Sequence, residues 1–70
     1  MKITEEILLT NGFEKKKCKD GYYYAKGKVG IVKNIKWLPF DTVDNIPLSD
    51  TYVNTMEELI RLSQEAGITI

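Results

Sequence analysis

Histidine is absent from this 70-residue chain, cysteine and arginine occur once each, and proline twice. Each scarcity removes a class of chemistry. Without histidine, general acid–base work falls to carboxylates, lysine, tyrosine or Cys18, and no two of these stand at a spacing that a known mechanism requires. Cys18, between Lys17 and Lys19, is the best nucleophile on offer, because flanking positive charge lowers a thiol's pKa. It has no histidine base to partner it, and a packing role is the ordinary one for a lone thiol. The expectation is a protein that is not an enzyme. A single cysteine excludes an internal disulfide, and the missing histidines remove the usual zinc spacings, so neither metal nor other cofactor is expected. Asp41, Asp44 and Asp50 lack the dense alternating ligands and fixed glycine of a calcium loop and read as turn formers.

Long hydrophobic runs are missing too. No stretch approaches membrane-spanning length and the N-terminus has no apolar run fit for a signal peptide, which points to the cytoplasm and away from the membrane. A core this small, with no disulfide or metal, supplies only a few kcal/mol of net stability, so a homo-oligomer is the expected supplement. There is no glycine-rich phosphate loop and no aromatic RNA-binding motif, and one arginine argues against base-specific readout.

What is present is pattern. The clearest lies at the end of the chain, where Met56, Leu59, Ile60, Leu62, Ser63 and Ala66 set an apolar stripe at three- and four-residue spacing. Asn54 or Thr55 caps this helix, with Glu57 or Glu58 closing a capping box. Gly67 suits the left-handed position beyond the last turn, and Ile68 then folds back on Leu62, tying down the last residues. A shorter helix is expected within 3–13: Thr4 caps it, Ile3 staples onto Leu8, Asn11-Gly12 ends it and Phe13 returns to Leu8.

Between the helices the period shortens. Strands are expected near 13–19, 22–26, 28–33 and 35–38, broken by the turn pairs Asp20-Gly21 and Lys26-Gly27. Taken literally, those turns place Lys17, Tyr24 and Val29 in one cross-strand row with Tyr22 and Ile31 in the next row of the same face. Cys18, Tyr23, Ala25 and Val32 fall on the other face. Pro39 is expected to stop the fourth strand, since it lacks a ladder donor. The stretch 41–50 reads as a loop in which Val43, Ile46 and Leu48 alternate enough to add a brief strand. The fold expected is α+β, a single domain over 1–70. A short N-terminal helix leads into an antiparallel meander of three or four strands, and a C-terminal amphipathic helix packs on the sheet.

Ile3-Thr4-Glu5-Glu6 with Leu8-Leu9, then Gly12-Phe13-Glu14, and at the far end Tyr52-Val53 running into Met56, Leu59 and Leu62, form a second kind of signal. They resemble a family of small proteins of uncharacterised function common in phages and mobile elements of Bacteroidota-type gut bacteria. The resemblance covers about half of the chain. In that family the Tyr-Val pair is usually followed by a histidine and a first turn rich in glutamine and asparagine, where this chain has Asn54, Glu57 and Glu58. The resemblance implies the order helix, antiparallel strands, helix. It also implies a bacterial host cell and, by analogy, a role against a host defence factor, without an activity to transfer.

Charge is zero overall but segregated. Phe13 to Leu38 holds eight lysines against Glu14 and Asp20, a net +6, and the remainder is −6. Two functional readings follow. In the first, rings that commonly anchor protein interfaces, among them Trp37 and the tyrosines, contact an unidentified protein through a sheet face. In the second, Tyr22, Tyr23, Tyr24 and Trp37, interleaved with Lys17, Lys26, Lys28 and Lys36, bind a nucleotide or single-stranded nucleic acid, rings on bases and ammonium groups on phosphates. The opposed charges suit a structural subunit of a larger assembly as a third reading. Against all three, lysines on an exposed edge and aromatics in strands are ordinary.

Overall fold

The structure, a computed structural model, describes residues 1–19 and 21–68, with Asn34 described by its backbone alone. The elements run α1 (Glu5–Thr10), β1 (Glu14–Cys18), β2 (Gly21–Lys26), β3 (Val29–Asn34), β4 (Lys36–Asp41) and α2 (Met56–Glu65). The strands form one antiparallel sheet in the order β1-β2-β3-β4. The chain therefore has the α+β fold its pattern predicts.

Local chemistry sets both helices. The Thr4 hydroxyl accepts from the Ile7 N–H at 3.1 Å, and Gly12 takes φ +92° just past the end of α1. Phe13 N–H then returns to the Leu8 carbonyl at 3.0 Å, the C-terminal closure expected of such an ending. At α2 the cap is Thr55, whose hydroxyl accepts from Glu58 N–H at 3.2 Å, while the Glu58 carboxylate accepts from the Thr55 hydroxyl and from Asn54 N–H. Glu57 instead receives the Met1 ammonium. The far end closes on Gly67, with Ile68 N–H donating to Ser63 O. Asp20 and the last two residues, Thr69 and Ile70, lie outside the described residues.

Met56 and Leu59 of the stripe are buried and Leu62 packs against them, whereas Ile60 is 37 % exposed and Ala66 is exposed, so the burying face is narrower than the spacing implied. Ser63 is fully buried and donates to the Leu59 carbonyl at 2.8 Å, which satisfies its hydroxyl within the helix. The core gathers Ile3, Leu8, Phe13, Val53, Met56 and Leu59 from outside the sheet onto Tyr24, Val29, Ile31 and Trp37 from within it.

Register departs from the expected turns by two residues in each hairpin. Lys17 faces Tyr22 and Lys15 faces Tyr24 across β1 and β2, and Tyr24 faces Ile31 instead of Val29 across β2 and β3. The turns shift accordingly: Gly27, at φ +62°, takes the first position of its turn and not the second, while Gly21 joins its strand. A two-residue slip leaves every side chain on its face. The expected face assignments of Tyr22, Tyr24, Val29 and Ile31 against Cys18, Tyr23, Ala25 and Val32 accordingly stand, with different cross-strand partners.

Pro39 does not end β4, which runs on to Asp41. The reason is its position on the sheet's outer rim. Trp37 O, Pro39 O and the Asp41 N–H all turn away from β3, where they meet Val53 N–H at 2.9 Å, Leu48 N–H at 3.1 Å and Ile46 O at 2.8 Å. A proline nitrogen pointing the same way removes no ladder bond. The segment 42–55 thus closes this edge by single bonds and isolated bridges. Val43 and Ile46 are exposed, and no brief strand forms from them. β3 and β4 are joined by Ile35 alone, at φ +67° and 90 % exposed.

Candidate functional site

Alternation puts Tyr22 and Tyr24 on the helix-covered face, with Trp37 beside them, and Tyr23 on the other. The aromatic constellation is therefore divided. Tyr24 and Trp37 are core residues, 7 % and 9 % exposed, packed edge to face with centroids 5.7 Å apart. This corrects the expectation of a ring patch presented to a partner or a base: the helices need an apolar sheet face, and these two rings supply it. Burial, followed by the Glu5 carboxylate, pushes the Tyr24 hydroxyl above its ordinary pKa. Tyr22 is 52 % exposed, and the Lys15 ammonium sits 4.4 Å from its ring centre. Lys15 also pairs with Glu5 at 2.7 Å, which lowers the carboxylate's pKa and raises the lysine's.

The predicted lysines scatter as well. Lys26 is structural: its ammonium donates to Asn11 O at 2.9 Å, satisfying a carbonyl at the end of α1. Lys28 is exposed in the β2–β3 turn, where its carbonyl holds Thr42 N–H. Lys17 and Lys36 lie at the opposite end of the sheet, together with Lys19 and Lys33. Lys33 reaches to 5.5 Å from the Trp37 ring centre. At this basic end a recess of about 750 Å³ opens between the start of α1 and the sheet, lined by Ile3, Glu5, Tyr22, Tyr24, Lys33 and Trp37 among others.

Sequence reasoning missed a second arrangement, on the face that no helix covers. There Tyr23, Val32, Leu38 and Phe40 are half-buried and gathered by β2, β3 and β4. Tyr23 and Phe40 meet edge to face at 5.8 Å. Phe40 lies directly over Gly30, where an added Cβ would stand 2.4 Å from the ring tip. The ring thus uses the space the glycine leaves, and buries Ala25 and Gly30 beneath it. A shallower recess of about 320 Å³ runs across this face between Cys18 and Thr42, lined by Tyr23, Val32, Phe40 and Asn45 but by no helix residue. An antiparallel sheet with one solvated face normally alternates to polar residues on it. The available signal was Leu38 and Phe40 alternating with Trp37 and Pro39, which reads as a strand only once Pro39 is allowed on an edge.

Among the described residues no cluster of three or more carboxylate or thiol groups is placed to hold a metal ion, and no helix is long and apolar enough to cross a membrane. The Asp41 carboxylate accepts from Val43 and Asp44 N–H and so serves its own turn. Comparison with known proteins finds no matching family model, no matching curated protein and no matching solved structure. Function is accordingly read from the geometry.

Proposed function

We propose that the chain is a non-catalytic protein-interaction module whose contact surface is the helix-free face of its sheet. The observation that carries this is the apolar character of that face, where Tyr23, Val32, Leu38 and Phe40 stand half-buried against one another and the 42–45 turn, and no helix residue lines the recess across it. Apolar surface of this kind on an otherwise charged small domain marks contact sites. Lys16 and Lys36 flank it, with Glu14 at the start of β1 on the same side. The partner that fits is a protein surface apolar at its centre and acidic at its rim. On the resemblance to phage-borne proteins, that partner is a cytoplasmic protein of the bacterial host, a defence factor by analogy. A photo-crosslinking residue at Leu38, expressed in the cells that make the protein, tests the reading. It should capture a protein that the same residue at Ile60, on the outer side of α2, does not, and Phe40→Asp should abolish the capture without loss of fold. Equal capture from both positions would refute it.

A second reading, a nucleotide or single-stranded nucleic acid held at the basic end, draws on the recess bearing Tyr22, Tyr24, Trp37 and Lys33. The ring faces available there are already approached by Lys15 and Lys33, so stacking requires those ammonium groups to move. Quenching of Trp37 fluorescence by an oligonucleotide, weakening steeply with salt, is its test.

A further inference from the structure

The outer edge of β1 differs from the sheet's other edge, β4. Hydrogen-bonding pairs alternate along antiparallel strands, and the 18–21 pair closing a two-residue turn fixes the phase. Glu14, Lys16 and Cys18 therefore bond to β2, and Lys15 and Lys17 turn their N–H and C=O outward. The same alternation, carried through all three ladders, turns Trp37, Pro39 and Asp41 outward on β4, where each finds a partner. Phe13, next in phase on the β1 side, is spent on Leu8. Among the described residues no backbone group meets the outward groups of Lys15 or Lys17.

This open edge is basic. Lys15, Lys16, Lys17 and Lys19 lie along it, and although Lys15 pairs with Glu5 at 2.7 Å and Lys16 with Glu14 at 3.6 Å, the four lysines outnumber those two carboxylates. A second copy pairing antiparallel about Lys16 would set lysine against lysine, and like charges directly opposite are destabilising. The charge that opposes self-pairing favours an acidic strand. We propose that β1 accepts an extended acidic peptide segment as a fifth strand, bonded through the N–H and C=O of Lys15 and Lys17 and held by the flanking ammonium groups. Strand addition of this type takes affinity from the main chain and selectivity from alternate side chains. The proposal uses the edge and not the apolar face, so either can fail while the other stands.

The probe is the capped peptide acetyl-Glu-Val-Glu-Thr-Glu-Val-Glu-amide, titrated into the isotope-labelled intact chain. Its counterparts are two N-methylated forms, one methylated at the odd and one at the even residues, and a lysine-for-glutamate version. Binding should slow amide exchange at Lys15 and Lys17 selectively, and the lysine peptide should not bind. Loss of backbone bonding in the better-placed N-methylated peptide should weaken affinity about five- to tenfold or more, the scale of one or two hydrogen bonds. Lys17→Pro should do the same while keeping the fold, because the lost N–H points out of the sheet. If that variant unfolds, the N-methylated peptides still decide the matter. Equal affinity for all acidic peptides, methylated or not, would mean attraction of charge without strand addition and overturns the proposal. So would exchange unchanged at Lys15 and Lys17, or shifts confined to Tyr23, Val32 and Phe40.

Discussion

The two faces of the sheet are built from similar residues and do different work. On one, Tyr24, Val29, Ile31 and Trp37 are sealed by both helices into the core. On the other, Tyr23, Val32, Leu38 and Phe40 rest against one another and against the 42–45 turn. Neighbouring residues of one strand, Ile31 and Val32, thus stand one in the core and one at the surface. Apolar character alone does not distinguish folding from contact; what covers the residue does. The covered face holds the domain together, and the helix-free face is the one proposed to meet another molecule.

That contrast predicts a gap in stability between adjacent positions. Ile31→Ala removes methyl groups from a site with no exposure and should cost about 2–4 kcal/mol in urea unfolding, a large part of what so small a domain possesses. Val32→Ala, one residue on, should cost less than about 1 kcal/mol, the range of less buried substitutions. Equal costs would abolish the distinction between the faces. Gly30→Ala sharpens it from the other side: the new methyl group displaces the Phe40 ring, which can swing outward, so about 1 kcal/mol should be lost along with the Tyr23–Phe40 ring contact, a loss that ring-to-ring NOEs would report. Thr55→Ala removes the cap of the covering helix and should cost about 1 kcal/mol. It should raise amide exchange in α2 while leaving contact at the bare face intact.

The smallest effect is electrostatic. Glu5 is held below the usual glutamate pKa chiefly by its bond to Lys15, so the pair's contribution is present above 4.5, the unperturbed value, and is lost as pH falls through the lowered folded value. Lys15, raised by the same bond, keeps its share below the ordinary lysine pKa and loses it as pH rises through the folded value. The melting temperature of Glu5→Gln should therefore respond more weakly to acid than that of the wild type. The difference should be slight, since both groups are solvent-accessible and the pair is screened.

Helix ends were legible because they are local: Thr4 with Glu5 and Glu6, Gly12 before Phe13, and Thr55 with Glu58 carry their geometry within a few residues. Face membership was legible for a related reason, since a period of two survives a two-residue slip. Register was not, because Gly27 can take either turn position and the choice belongs to the paired strands. The role of Pro39 was hidden for want of knowledge that β4 is an edge with its outer groups bonded to the 42–55 segment. Sequence also marked Tyr22, Tyr23, Tyr24 and Trp37 as one group. Alternation already set Tyr23 on the face opposite Tyr22 and Tyr24; the burial of Tyr24 and Trp37 follows from the side on which two helices settle, and that is decided by the whole core. Phe40 over Gly30 joins residues of different strands, a contact no spacing announces.

Methyl NMR with a soluble paramagnetic chelate compares the faces most directly. The account predicts strong broadening of the Val32 and Leu38 methyl groups in the isolated chain, with Val29, Ile31 and Leu59 spared, and loss of that broadening when a partner is bound. Val32 and Leu38 protected as fully as Ile31 in the isolated monomer would contradict it.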